Sequence, residues 1–248
     1  MSTFGRELEK RGDHLEVALA IRDQEHTVSR LADLNHAADL VALLTQLEEN
    51  KERLREERSA WDDFVNAQAA VLAHAVVLYV RAAAPGDQGR KLNFRVEEVL
   101  TGAALRIHAS LKAARDTALA HFDGPERQDW HADCLVMIKH ENGDWHYGST
   151  FSRGGYRSTT HKDLKLVLDE LIPWVDNFST AGMDALNTRL QQAIADDPSL
   201  DHLIEANPFD DKAFYGGSPE GEAATRAMLG GGIGNHVWHS SMSSSSEA

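Results

Sequence analysis

Apolar residues recur at helical spacing along most of the chain. Within the first 60 residues, Leu31, Leu34 and Val41 repeat along one face, and a charged run from Glu48 to Arg58 follows them. Apolar positions at this spacing predict a helix, and acids and bases four residues apart support a helix that is exposed to solvent. We therefore expect residues 1–58 to form an N-terminal helical extension.

Two long antiparallel helices are predicted between residues 59 and 121. The first begins near Ser59, is apolar around most of its circumference and ends at Pro85-Gly86. Such a helix belongs in the centre of a bundle. The second runs from about Leu92 to His121, and Gly102 within it is expected to mark close packing against a neighbour.

The pattern then changes to one that is typical of a β-hairpin. The apolar run Cys134–Ile138 leads to turn residues at Glu141–Asp144, and Trp145–Gly148 follows as a returning strand. Short runs rich in apolar, β-branched and aromatic residues on either side of a turn favour paired strands. We expect a small hairpin near residues 134–150.

Helical periodicity returns at Thr160 and continues to a predicted kink at Pro173. Another helix is expected from about Met183 to Ala195. From Asn207 onward the periodicity fades into glycine-rich and serine-rich sequence, so residues 207–248 are expected to form a flexible tail. The fold class is therefore mainly α: an antiparallel helical bundle over residues 59–206 with a β-hairpin insertion.

Composition limits the classes of protein to which the chain can belong. The 248 residues carry a formal net charge of −14, which argues against a broad basic surface for nucleic acid. The lone Cys134 forms no internal disulfide, and the apolar run Ala67–Val80 is interrupted by Gln68 and His74. We expect a reduced, cytoplasmic protein without a membrane span.

The charge is unevenly distributed along the sequence. Between Trp61 and Ala120, seven basic residues stand against six acidic ones, so this segment is +1 and the remainder is −15. A phosphate site is therefore permitted locally, although an ordinary surface without a ligand fits the same numbers.

Arg115 and His121 stand at the end of the second long helix, with Asp116 directly after the arginine. The planar cation of arginine suits phosphate, and histidine exchanges a proton near neutral pH. On one helix the two residues lie about 120° apart around the axis and about 9 Å apart along it. In a site that cuts RNA, Arg115 would hold the phosphate and His121 would approach the ribose from the other side. The same residues of a second subunit would complete the cleft between them.

The segment resembles the HEPN superfamily, whose nuclease members carry an arginine, a polar residue, a short spacer and a histidine. Arg115, Asp116 and His121 match that order, and Ala120-His121-Phe122-Asp123 is similar to the ending found in abortive-infection-type members. The resemblance covers about residues 60 to 178. It implies a homodimeric, metal-independent endoribonuclease of a toxin, stress-response or phage-defence system.

The resemblance implies that Arg115 and His121 are catalytic, with Asp116 orienting one of them. His108 and Lys112 fall close to one stripe with Arg115, so we also expect substrate binding there, with Arg81 adding positive charge. Arg81 complementing its own helix dipole is the simpler interpretation. RNA is the expected substrate, and a cognate antitoxin or other protein is a further candidate partner.

The 13 histidines of the chain also raise the question of a metal. His140 with His146 and His236 with His239 form pairs, but no spacing matches a structural zinc site, and we expect neither metal nor cofactor. His74 is interpreted as a core or interface histidine. The alternative to a nuclease is a catalytically inactive HEPN-like module that binds a protein partner through its helices.

Overall fold

The computed structural model describes residues 3–12, 14–55, 58–84, 94–115, 131–139, 143–153, 158–210, 212, 214, 216–217 and 219–229. The helices in these ranges are α1 (Thr3–Arg11), α2 (Leu15–Glu49), α3 (Lys51–Leu54), α4 (Arg58–Ala83), α5 (Val96–Val99), α6 (Gly102–Ala114), α7 (Ser158–Asp196), α8 (Ser199–Ala206) and α9 (Pro219–Leu229). The strands are β1 (His131–Lys139) and β2 (Trp145–Arg153). The mainly α class that the periodicity predicts is confirmed.

The chain divides into two compact units. The larger is Leu19–Leu190, and the smaller combines Met1–Ala18 with Gln191–Ala248. In the larger unit, α2, α4, α6 and α7 contribute to one hydrophobic core, whose fully buried members include Leu34, Leu72 and Leu168. Burial of these side chains supplies the main stabilisation of the unit.

The helix α2 belongs to this core and is not an extension of it. Leu31, Leu34, Val41 and Leu44 are buried in the same cluster as the apolar face of α4. The helical periodicity of this segment is confirmed by α2, and tertiary packing decides which partner its apolar face meets.

The predicted helix from Leu92 to His121 is interrupted. Leu100 and Thr101 are extended, and Gly102 has φ +51° at the start of α6. A side chain at Gly102 would meet no atom within 4 Å, so the expectation of close packing there is wrong. Glycine is needed because the backbone enters the left-handed region.

Helix α7 is longer than the sequence predicts, whereas α6 is shorter. It runs unbroken over 39 residues with Pro173 inside it, so the separate helix expected from Met183 is part of α7. Leu171 and Val175, on either side of the proline, are fully buried. Packing of the flanking turns offsets the backbone hydrogen bond that proline cannot make.

Strands β1 and β2 pair in antiparallel register. Cys134 lies opposite Thr150, and Met137 lies opposite Tyr147. Near the ends of the strands, Met137 and Trp145 are exposed, and the ammonium group of Lys139 lies 5.7 Å from the centre of the Trp145 ring.

Helix α4 contains the one segment in the described part of the chain that is long and apolar enough to cross a membrane, Asp63–Ala83. Length and composition are weak grounds for a span, because the core helix of a soluble protein passes the same test. Leu72, Val76 and Tyr79 of this segment are buried in the protein core.

In the smaller unit, Gly12 ends α1 with φ +75°, and His14 adopts φ 56° before α2. His14 Nε2 lies 3.0 Å from Asp197 Oδ2, and the backbone N–H of Ser199 donates to Asp197 Oδ1 at 3.0 Å. Hydrogen bonds from Ser199 and His14 lower the pKa of Asp197 to about 2. The tail expected after Asn207 contains a helix, α9.

Asp197 should make stability depend on pH under acidic conditions. A carboxylate whose pKa is lower in the folded state stabilises the fold above its ordinary pKa, and this contribution is lost as the pH falls. We expect the loss between about pH 4 and pH 2. Denaturant titrations of the wild type and of Asp197→Asn measure it, and equal pH slopes in that window would contradict the assignment.

Candidate functional site

The candidate site begins at the C-terminal end of α6. Arg115 continues the helical backbone, and its N–H donates to the carbonyl groups of Leu111 and Lys112. Arg115 is half-buried and takes part in a further interaction, whereas Lys112, one turn earlier, is exposed. Asp116 and His121 lie outside the described residues, so the geometry that joins Arg115 to His121 remains a prediction.

His108 lies in the interface between α4 and α6. Its side chain is 5% exposed, and its Nδ1 is 2.8 Å from the hydroxyl oxygen of Tyr79, which is fully buried. Burial lowers the pKa of His108, which favours the neutral ring, and raises the pKa of Tyr79. The expected stripe of His108, Lys112 and Arg115 is therefore not an open surface, because its first member is enclosed.

Arg81 is held by a carboxylate on α2. Its Nε donates to Asp33 Oδ2 at 2.6 Å, and its Nη2 donates to Asp33 Oδ1. This bidentate hydrogen bonding raises the pKa of Arg81. The neighbouring carboxylate offsets the positive charge that we expected Arg81 to offer to substrate.

The two predicted substrate-binding residues Arg81 and His108 do not converge. Tyr79 meets His108 on α6, whereas Arg81, two residues later on α4, meets Asp33 on α2. Residues two apart on a helix point to different sides. Of the predicted site residues that the structure describes, Lys112 and Arg115 remain as neighbours at one helix end.

The structure also places together residues that the sequence analysis did not connect. His36 on α2 and His74 on α4 are both exposed, and their ring centres are 5.6 Å apart. His74 is thus a histidine at the surface of a helix interface and not a core residue. No sequence signal pairs two histidines from helices that are distant along the chain.

Within the described ranges, no group of three or more His, Cys, Asp or Glu side chains is arranged to hold a metal ion. Of the histidine pairs considered from the sequence, His140, His236 and His239 fall outside those ranges.

Comparison with known proteins finds no matching family model, no similar curated protein and no similar solved structure.

The Tyr79–His108 hydrogen bond should stabilise the interface of α4 with α6. Tyr79→Phe removes the hydroxyl and leaves a buried imidazole nitrogen without this partner, so we expect a loss of about 1–3 kcal/mol in the free energy of unfolding. Urea titration measures it. In the double variant Tyr79→Phe/His108→Leu both polar groups are gone, and its destabilisation should be smaller than the sum of the single variants. Strict additivity would argue against the hydrogen bond.

Proposed function

We propose that the chain is a HEPN-like antiparallel helical bundle with a β-hairpin insertion, and that it acts as a metal-independent endoribonuclease. The observation that carries the proposal is the position of Arg115, half-buried at the end of α6 and one turn beyond the exposed Lys112. Two cations one helical turn apart suit a phosphate group, and His121 follows six residues after Arg115.

In the proposed reaction, the RNA 2′-hydroxyl attacks the adjacent phosphorus, and the bond from phosphorus to the 5′-oxygen breaks. His121 takes the proton of the 2′-hydroxyl or gives one to the departing 5′-oxygen. Arg115 stabilises the charge that develops on the phosphoryl oxygens, Lys112 holds a neighbouring phosphate, and Asp116 orients Arg115 or His121. The products are a 2′,3′-cyclic phosphate and a 5′-hydroxyl end.

The proposed working form is a cytoplasmic homodimer. The overall charge of −14 disfavours a broad electrostatic hold on RNA, so binding would be confined to the helix ends. A second subunit would bring another copy of Arg115 and His121 to the same cleft and could supply the second proton-transfer group. An antitoxin that covers this end would control the activity.

The second candidate function is a catalytically inactive helical module that binds a protein partner. The specific observation in its favour is that Arg81 is paired with Asp33 and that His108 is buried against Tyr79. Both residues then serve the fold, and fewer groups remain for catalysis.

RNA cleavage by the purified full-length chain tests the proposal. We expect fragments that end in a 2′,3′-cyclic phosphate, and we expect host-cell toxicity on expression that His121→Ala relieves. If the folded dimer cleaves no RNA from a mixed-sequence pool, the nuclease is refuted in favour of the binding module.

A further inference from the structure

We propose that His36 and His74 form a surface binding site for a divalent transition-metal ion of the zinc, copper or nickel class. The two imidazole rings come from α2 and α4, are both exposed and have centres 5.6 Å apart with an angle of 77° between their planes. This site uses side chains of α2 and α4 and goes beyond the proposed function.

The separation of the rings fits coordination of one ion. Zinc lies about 2.0–2.1 Å from an imidazole nitrogen, so two imidazoles on one tetrahedral ion have ring centres roughly 5–6 Å apart. The observed 5.6 Å falls within this interval. Both side chains are exposed, so each ring can rotate to turn one nitrogen toward a shared ion.

The two helices hold the histidines on a rigid base. Ala37 and Ala75, each next to one of the histidines in sequence, are fully buried in the core. The Arg81–Asp33 ion pair also joins α4 to α2, and Asp33 lies one helical turn before His36. Ligands on packed helices are positioned more accurately than ligands on loops.

The chemistry of the pair selects the class of ion. Imidazole suits zinc, copper and nickel, whereas magnesium and calcium prefer oxygen ligands. The net charge of −14 attracts cations in general. Two protein ligands leave the other coordination positions of the ion to water. An ion bound to both histidines ties α2 to α4 and stabilises the folded state, because it binds the folded state and not the unfolded one.

Calorimetric titration of the full-length chain with ZnCl₂ and NiCl₂ tests the site. We expect the wild type to bind one equivalent of metal at this site and His36→Ala/His74→Ala to lose it. Each single variant should weaken metal binding at least about tenfold, because loss of a residue that only supports a metal ligand already weakens binding by about 10–100-fold. MgCl₂ and CaCl₂ should not bind there. A rise in melting temperature with zinc, reversed by EDTA, should accompany binding to the wild type.

His202→Ala is the matched control, because His202 is also on a helix and is strongly exposed. All other histidines, including those of the tail and the hairpin, remain in the His36 and His74 variants, so the difference from the wild type isolates the proposed pair. Circular dichroism without metal checks that the variants fold. Equal zinc stoichiometry and affinity in the wild type and the folded double variant would overturn the site.

Discussion

Replacement of either His121 or Arg115 by alanine should lower the rate of RNA cleavage by at least about 100-fold. Loss of a positioned acid or base has an effect of about 10²–10⁴, and loss of a charge stabiliser in a transition state has an effect of similar size. Initial rates with a labelled RNA under single-turnover conditions measure the chemical step. Arg115→Ala should fold, because Arg115 is not among the described residues of the hydrophobic core cluster, and circular dichroism checks the fold of both variants.

Arg106→Ala is the matched control for this loss of positive charge. Arg106 is exposed on the same helix, α6, but lies more than two turns before Arg115. Its removal should leave the cleavage rate within about twofold of the wild type, because salt screens an exposed charge at that distance. A loss equal to that of Arg115→Ala would show that general electrostatic attraction is responsible.

The same assay separates this reaction from metal-assisted hydrolysis. Cleavage should persist in EDTA and should stop on RNA that is methylated at the 2′-oxygen of the cleaved position, because the attacking group is then blocked. Cleavage of the methylated RNA, or full activity of His121→Ala, would refute the mechanism. Loss of activity in EDTA would point to a metal-dependent reaction.

Leu168→Ala should destabilise the protein by about 2–5 kcal/mol, the range for deleting a fully buried leucine side chain. Leu168 is 1% exposed and packs in the cluster that α2, α4, α6 and α7 share. The truncation removes buried apolar surface and leaves a cavity that close-packed neighbours only partly fill. The midpoint of guanidinium denaturation measures the change.

Leu166→Ala provides the control on the same helix with the same chemical change. Leu166 is 40% exposed, so its truncation should change stability by less than about 1 kcal/mol. Similar losses for the two variants would mean that the assigned faces of α7 are wrong.

Local signals in the sequence predicted part of this architecture closely. Apolar spacing and the stop at Pro85-Gly86 predicted a helix from about Ser59 to Ala84, and α4 spans Arg58–Ala83. The prediction for Gly102, a glycine inside a helical pattern, is wrong: a left-handed backbone and not close packing explains this residue. A positive φ leaves no trace in hydrophobic periodicity.

The candidate site was less accessible to sequence reasoning. The spacing predicts Lys112 and Arg115 one turn apart on one helix, and the structure has Lys112 in the last turn of α6 and Arg115 at its C-cap. The environment of His108 could not, because it depends on Tyr79, 29 residues away along the chain. For the same reason, the sequence did not reveal that Asp33 pairs with Arg81.

The sequence by itself determined the helical class and the apolar faces of α2, α4 and α7, because neighbours three and four residues apart create these features. Only the tertiary structure decided which faces meet. It placed α2 in the core, buried His108 and brought the ring centres of His36 and His74 to a distance of 5.6 Å. Burial and pairing across helices depend on contacts between distant segments, and a single sequence carries no direct record of them.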